Sequence, residues 1–226
     1  MGLSVFLFIQ IKKLRNSNIK VEINDPFHHA LSSQIILNTA SAEKINTILE
    51  QCRVLAIEID EVTGRKNCSQ NVAEIVYRIS KYSGFEESIS QLHYCAALVY
   101  DAGFLRIDKG ILQLPEISSE QFNLLQTHTS LAREFLDFVP EEWRQLFFDA
   151  AEKHHENIDG SGYPYQLSEK DIPYIARVIR VAESYEAMVS PREYRKIMDH
   201  DTALEYLITR DGIFDKKILE VMEKVI

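Results

Sequence analysis

The sequence holds only three cysteines in 226 residues, a single tryptophan, and few positive charges for its length. Cys52, Cys68 and Cys95 cannot all pair, and none stands in the CxxC spacing of a zinc knuckle or a redox pair. That excludes a disulfide-stapled secreted scaffold, and a reducing, cytoplasmic setting is the expectation. Long hydrophobic runs are missing too. The longest near the start, Leu3 to Ile11, is broken by Ser4 and Gln10 and closed by Lys12 and Lys13, so neither a membrane span nor a secretory leader is expected. With 25 Lys and Arg against 34 Asp and Glu, the formal charge is −9. Such a chain repels phosphate backbones, which argues against nucleic acid as a partner while leaving room for a local basic pocket that takes a small nucleotide.

What the sequence does have is periodicity. Residues 3 to 11 and 19 to 24 are rich in β-branched and aromatic side chains around Asn16-Ser17-Asn18, which predicts two short strands in an N-terminal appendage, residues 1–40. From residue 41 the spacing becomes helical. Ile45, Ile48, Leu49, Cys52, Leu55 and Ile59 share one face, as do Cys68, Val72, Ile75, Val76 and Ile79 before Gly84, and Ile89, Leu92, Ala96 and Val99 before Gly103. Ser118 and Gln121 have capping-box spacing, so a fourth helix is expected from Ser119 with the buried stripe Phe122, Leu125, His128, Ala132 and Phe135. A fifth stripe, Trp143, Phe147, Ala150 and His154, runs into a loop. Pro173 suits the first turn of a sixth helix carrying Ile175, Ile179, Ala182, Glu183 and Glu186, and two shorter helices start near Asp201 and Asp215. No linker divides residues 41–226, which read as one all-α domain.

The informative polar residues lie on these apolar stripes. His128, His154 and Glu183 sit on the buried faces of three helices, and Asp101 ends another. A buried carboxylate has to be paired, protonated or bound to a metal, and His with carboxylate is a common ligand set for iron, manganese, zinc or magnesium. Singly, each residue also admits a plainer reading, as a hydrogen-bonded core histidine or as Glu183 paired with Arg177 or Arg180.

The run His154-His155-Glu156-Asn157-Ile158-Asp159-Gly160-Ser161-Gly162-Tyr163-Pro164 is similar, without a gap, to the HHExxDGxGYP signature of HD-GYP domains, the bacterial cyclic di-GMP phosphodiesterase type. Flanking segments agree in order. Ile172-Pro173 and Arg177-Val178-Ile179 resemble the helix after the GYP loop, Arg192-Glu193-Tyr194-Arg195 resembles RPYR, and Phe214-Asp215-Lys216 resembles FDP. The resemblance covers about residues 45 to 226 and implies a five-helix HD core with the HD-GYP extension.

It also implies roles. His128, His154 and His155 match metal ligands, Asp101 matches the Asp of the His-Asp pair, and Glu183 stands where the family has a ligating Asp. Three further positions at the centre depart from the pattern: Cys68 replaces a ligating His and could serve as a thiolate, Tyr100 replaces the His of the pair, and Phe104 replaces a lysine near the phosphate. No catalytic residue is therefore assigned, and one divalent ion, iron or manganese, is the implied cofactor. Arg192 and Arg195 match nucleotide contacts. The loop residues Asp159, Gly160, Gly162, Tyr163 and Pro164 match a surface associated with docking of diguanylate cyclases or other signalling proteins. Three readings follow: a degenerate regulator that binds cyclic di-GMP or a partner without turnover, an active phosphodiesterase with an altered metal centre, and an interaction module with neither metal nor nucleotide.

Overall fold

The computed structural model describes residues 39–114, 116–191 and 197–226. The strand pair expected in the N-terminal appendage and the arginines Arg192 and Arg195 lie outside the described residues.

A long first helix, α1 (Thr39–Thr63), is followed by the hairpin α2 (Cys68–Tyr82) and α3 (Glu87–Val99). Ile45, Ile48, Cys52 and Ile59 of α1 are buried, as the spacing predicts. The turn after α2 uses Gly84 at φ +88°, a conformation open to glycine at no steric expense, and it folds α3 back along α2. Facing stripes from α2 and α3 (Val72, Val76, Ile79, Ile89, Leu92 and Ala96) form the middle of the core. Each of these larger aliphatic side chains contributes about 1.5–3 kcal/mol through burial.

Beyond α3 the chain makes a 3-10 turn (Ala102–Arg106), then short helices α4 (Lys109–Leu112), α5 (Ser119–Gln126) and α6 (His128–Leu131), and a second 3-10 turn (Ala132–Phe135). The capping box holds: Ser118 Oγ accepts from the Gln121 amide, and the Gln121 side chain accepts from the Ser118 amide. The expected single helix from residue 119 to 135 does not. It breaks at Thr127, and Phe122 is exposed rather than buried. The cause is local. Thr127, Thr129 and Ser130 donate their hydroxyls to the carbonyls of Leu124, Gln126 and Thr127, and such back-bonding competes with regular helical geometry.

Helix α7 (Glu141–Lys153) leads into the glycine-containing loop, and α8 (Tyr174–Val189) returns across α2 and α7 with Pro173 as its N-cap, one position ahead of the expected first turn. Two C-terminal helices close the bundle, α9 (His200–Ile208) and α10 (Lys216–Val225). Asp215 caps α10 through the amides of Lys217 and Ile218 and also accepts from Arg177 at 2.6 Å, which ties α10 to α8. Among the described residues there is no strand, only an isolated bridge between Asp159 and Ser168, and no helix is long and apolar enough to cross a membrane.

Candidate metal centre

Asp101 enters the interior because α3 ends at Val99 and the chain tightens into the 3-10 turn. Its amide-bearing neighbour Gly103 allows a contact that no other residue permits: a Cβ there would lie 1.8 Å from the main-chain oxygen of His128. The turn therefore lies flush against the start of α6, and Asp101 (1 % exposed) and His128 (2 %) are held in one buried space.

His154 and His155 arrive together at the end of α7. The loop after them is clamped by Glu156, whose Oε1 and Oε2 accept from the amides of Tyr165 and Leu167 at 2.7 and 2.9 Å. Gly162 packs where a Cβ would strike the backbone of Glu156 and Asn157, and the Tyr163 ring stacks on His155 at 4.6 Å. Asp159 stays on the surface and accepts from the Ser161 amide, while Pro164 is exposed at the loop's outer edge.

Three donor atoms form a nearly equilateral triangle. His128 Nε2 and His154 Nε2 are 3.3 Å apart, and Asp101 Oδ1 lies 3.4 Å from the first and 3.5 Å from the second. A point equidistant from corners spaced by 3.3, 3.4 and 3.5 Å is about 2.0 Å from each, the usual length of a bond from a divalent metal to His nitrogen or carboxylate oxygen. The imidazoles are oriented for it. His128 Nδ1 faces the Leu125 carbonyl at 2.6 Å and His154 Nδ1 faces that of Ala151 at 2.9 Å, so in each neutral ring the proton belongs on Nδ1 and the lone pair on Nε2. Burial, outweighing the attraction of Asp101, pushes the His128 imidazole down to about 4 and leaves it neutral near pH 7.

Asp101 divides its two oxygens. Burial alone would raise its carboxyl, but the Arg65 guanidinium beside Oδ2 opposes that, and the carboxyl is held well below the usual carboxylate range. Oδ2 accepts from Arg65 Nη1 at 2.6 Å, whereas Oδ1 has no hydrogen-bond donor among the described residues. A second buried oxygen, Glu183 Oε2, is in the same condition and sits 3.9 Å from His155 Nδ1. His155 and Glu183 are 15 and 13 % exposed, against 2 % or less for the triangle, so they border the centre on its outer side. The ligand atoms of His128, His154 and His155 all lie within 4.8 Å of one another, a grouping able to hold a metal ion. Two unpartnered buried carboxylate oxygens beside three imidazoles fit one divalent cation.

Other expected participants are placed differently. Cys68 is not drawn into the cluster: its thiol donates to Glu186 Oε2 at 3.0 Å, and burial pushes its pKa up, so the thiolate needed for metal binding is disfavoured. Glu183 pairs with neither arginine suggested by the sequence, since Arg177 bonds Asp215 and Arg180 bonds Asn157. Tyr100 packs edge-on against His154 and its phenol is raised well above its ordinary pKa, by burial and then by the Asp101 charge. Phe104 lies flat on His128, ring centres 4.1 Å apart and planes within 7°. Arg65 carries little signal in the sequence, only a charged pair with Lys66 in the turn before the helix that starts at Cys68, and Glu156 lies within the signature with no sign there of the clamp it forms.

A helical bundle closing on a buried His and Asp centre is the class of protein that emerges, and the HD domain family model matches residues 51–218. The chain belongs to the HD domain family, and its relatives place it in the HD-GYP branch. It is 28 % identical over 155 residues to the cyclic di-GMP phosphodiesterase response regulator RpfG of Xanthomonas campestris, covering 68 % of this chain and 41 % of that protein. It is 28 % identical over 207 residues to a cyclic di-GMP phosphodiesterase of Thermotoga maritima, covering 87 and 55 %, and 31 % identical over 157 residues to 3'3'-cGAMP-specific phosphodiesterase 1 of Vibrio cholerae, covering 68 and 36 %. The chain thus spans about half, or less, of the length of these relatives. In fold it is similar to an HDG"Y"P protein from Bdellovibrio bacteriovorus, with a TM-score of 0.58, 14 % identity, and coverage of 80 % of this chain and 64 % of the other.

Proposed function

We propose that this chain is a cyclic-dinucleotide-linked HD-GYP signalling domain that binds one divalent ion and hydrolyses its nucleotide slowly or not at all. The observation that carries this reading is the one-sided surroundings of Asp101. Oδ1 faces two imidazoles with outward lone pairs, while the groups on its other side offer no comparable set: Cys68 is engaged by Glu186, Tyr100 keeps its proton, and Phe104 replaces a cation with a ring packed on His128.

His128, His154 and Asp101 would hold the ion, with His155 and Glu183 at its outer side, and donors of this kind suit iron or manganese. An ion held there supplies Lewis-acid polarisation of a phosphodiester oxygen. The chain's own side chains favour retention of a ligand over its cleavage, because the lysine position that would meet a phosphate is apolar. Cyclic di-GMP is the first nucleotide to test and 3'3'-cGAMP the second, since relatives are named for both. The clamped loop, with Tyr165 51 % exposed beside Pro164, would serve as the docking surface for a diguanylate cyclase or another signalling protein in the reducing cytoplasm.

The test is to incubate the full chain with each nucleotide and Mn²⁺ or, anaerobically, Fe²⁺, following products by chromatography and binding by calorimetry. Binding with turnover below about 10⁻³ s⁻¹ is expected, against about 1–10³ s⁻¹ for typical enzymes. Conversion at about 1 s⁻¹ or faster to a linear dinucleotide or mononucleotide overturns the reading, as does the lack of binding to either nucleotide.

A further inference from the structure

We propose that the Arg65 guanidinium is a built-in cation that stands in for a second divalent ion at Asp101, so that the chain itself limits its centre to one metal. Arg65 follows Gly64 in the turn between α1 and α2, where its amide closes α1 by donating to the Asp60 carbonyl at 2.9 Å. From that anchored position the side chain runs inward, 23 % exposed, and Nη1 meets Asp101 Oδ2 at 2.6 Å.

The position is well chosen for a substitute ion. Asp101 is a carboxylate buried to 2 % side-chain exposure, and an interior charge of that kind needs a partner on each face that water has left. Oδ1 is turned to the imidazole pair and Oδ2 to the guanidinium. Of the surrounding carboxylates, Asp101 acts on Arg65 most strongly and Glu183 more weakly. An arginine is suited to the place because it keeps its proton in any protein interior and presents a rigid planar fork.

The aromatic neighbours fix it further. The guanidinium carbon lies 5.5 Å from the centre of the Phe104 ring, which itself lies flat on His128. Arg65, Phe104, His128 and Asp101 therefore form a closed ring of contacts with the charge pair at its base. The substitution of Phe104 at the family's lysine position and the presence of Arg65 belong to one arrangement: the cation comes from the α1–α2 turn, and the ring that supports it lies where the lysine would have been. A second divalent ion beside Oδ2 would have to displace the guanidinium or share a carboxylate oxygen with it against direct charge repulsion.

This inference rests on the single-metal reading above, and its test separates the two. Purified full-length chain is titrated with Mn²⁺, counting bound ions by native mass spectrometry, and melted in EDTA and in Mn²⁺, for the wild type, Arg65→Ala and Arg65→Lys. The wild type is expected to hold one ion. In EDTA, Arg65→Ala should melt lower than wild type by about 5 °C or more, because an uncompensated charge is left at Asp101, and Mn²⁺ should restore most of that loss with a second ion bound. Arg65→Lys, which keeps the charge, should stay at one ion and melt nearer wild type. If Arg65→Ala does not fold without Mn²⁺, the count on the Mn²⁺-folded variant decides, two ions supporting the inference and one overturning it.

Two ions on the wild type would overturn the role of Arg65 while leaving a metal-binding centre intact. No ion on the wild type would overturn the single-metal reading, and the EDTA melts alone would then judge Arg65. An Arg65→Ala chain that melts with the wild type in EDTA and keeps the same ion count overturns the inference in either case.

Discussion

His128 and His154 meet through their Nε2 atoms at 3.3 Å while their Nδ1 atoms are tied to the main-chain carbonyls of Leu125 and Ala151. With Nδ1 protonated on both rings, two lone pairs point at each other, and only a proton or a metal cation between them relieves that opposition. Asp101 Oδ1 completes the surround with a negative charge.

Removing one corner of this triangle should remove the site. His154→Ala is expected to lower Mn²⁺ affinity by at least about a hundredfold, more than the ten- to hundredfold typical of losing an outer-shell partner. Competition against a chelating dye measures this, and an unchanged affinity would mean that the ion binds elsewhere.

Gly103→Ala places a Cβ 1.8 Å from the His128 oxygen and 2.6 Å from its carbonyl carbon, both backbone atoms that cannot swing aside. Separation of the 3-10 turn from α6 should cost about 3 kcal/mol, a fall in Tm of about 6–12 °C, together with weaker metal binding. Thermal melts with and without Mn²⁺ report both effects; a wild-type Tm would show that the contact is not rigid.

Glu156→Gln tests the loop clamp. The amide keeps one acceptor oxygen for two amides, Tyr165 and Leu167, and brings donors that have no acceptor in that place. A loss of about 1–3 kcal/mol is expected, seen as faster hydrogen exchange across residues 157–168 with the ion count unchanged. Loss of metal without faster exchange would instead make Glu156 a ligand.

Cys68→Ser separates the thiol's two possible roles. A serine hydroxyl can still donate to Glu186, so metal content and stability should stay near wild type. A drop in bound metal that tracks this substitution would restore Cys68 as a ligand.

Much of this was legible in the sequence. The helical stripes, the capping box at Ser118 and the convergence of Asp101, His128, His154, His155 and Glu183 all follow from periodicity combined with an ungapped signature, since a short-range pattern records which face of a helix is buried. The rest depended on contacts between distant segments. Arg65 looks like a solvated turn charge until the fold brings it to Asp101, 36 residues away. The break at Thr127 reflects three hydroxyls competing for carbonyls, which an apolar stripe read straight through Phe122 overlooks. Cys68 stands at a ligand's position in the chain, yet its thiol donates to Glu186.

Anomalous diffraction from a Mn²⁺-soaked crystal of the full chain is the most direct test. One manganese peak bounded by His128 Nε2, His154 Nε2 and Asp101 Oδ1, with Arg65 still on Oδ2, is the expected result. Two peaks flanking Asp101, or none near it, would contradict the account.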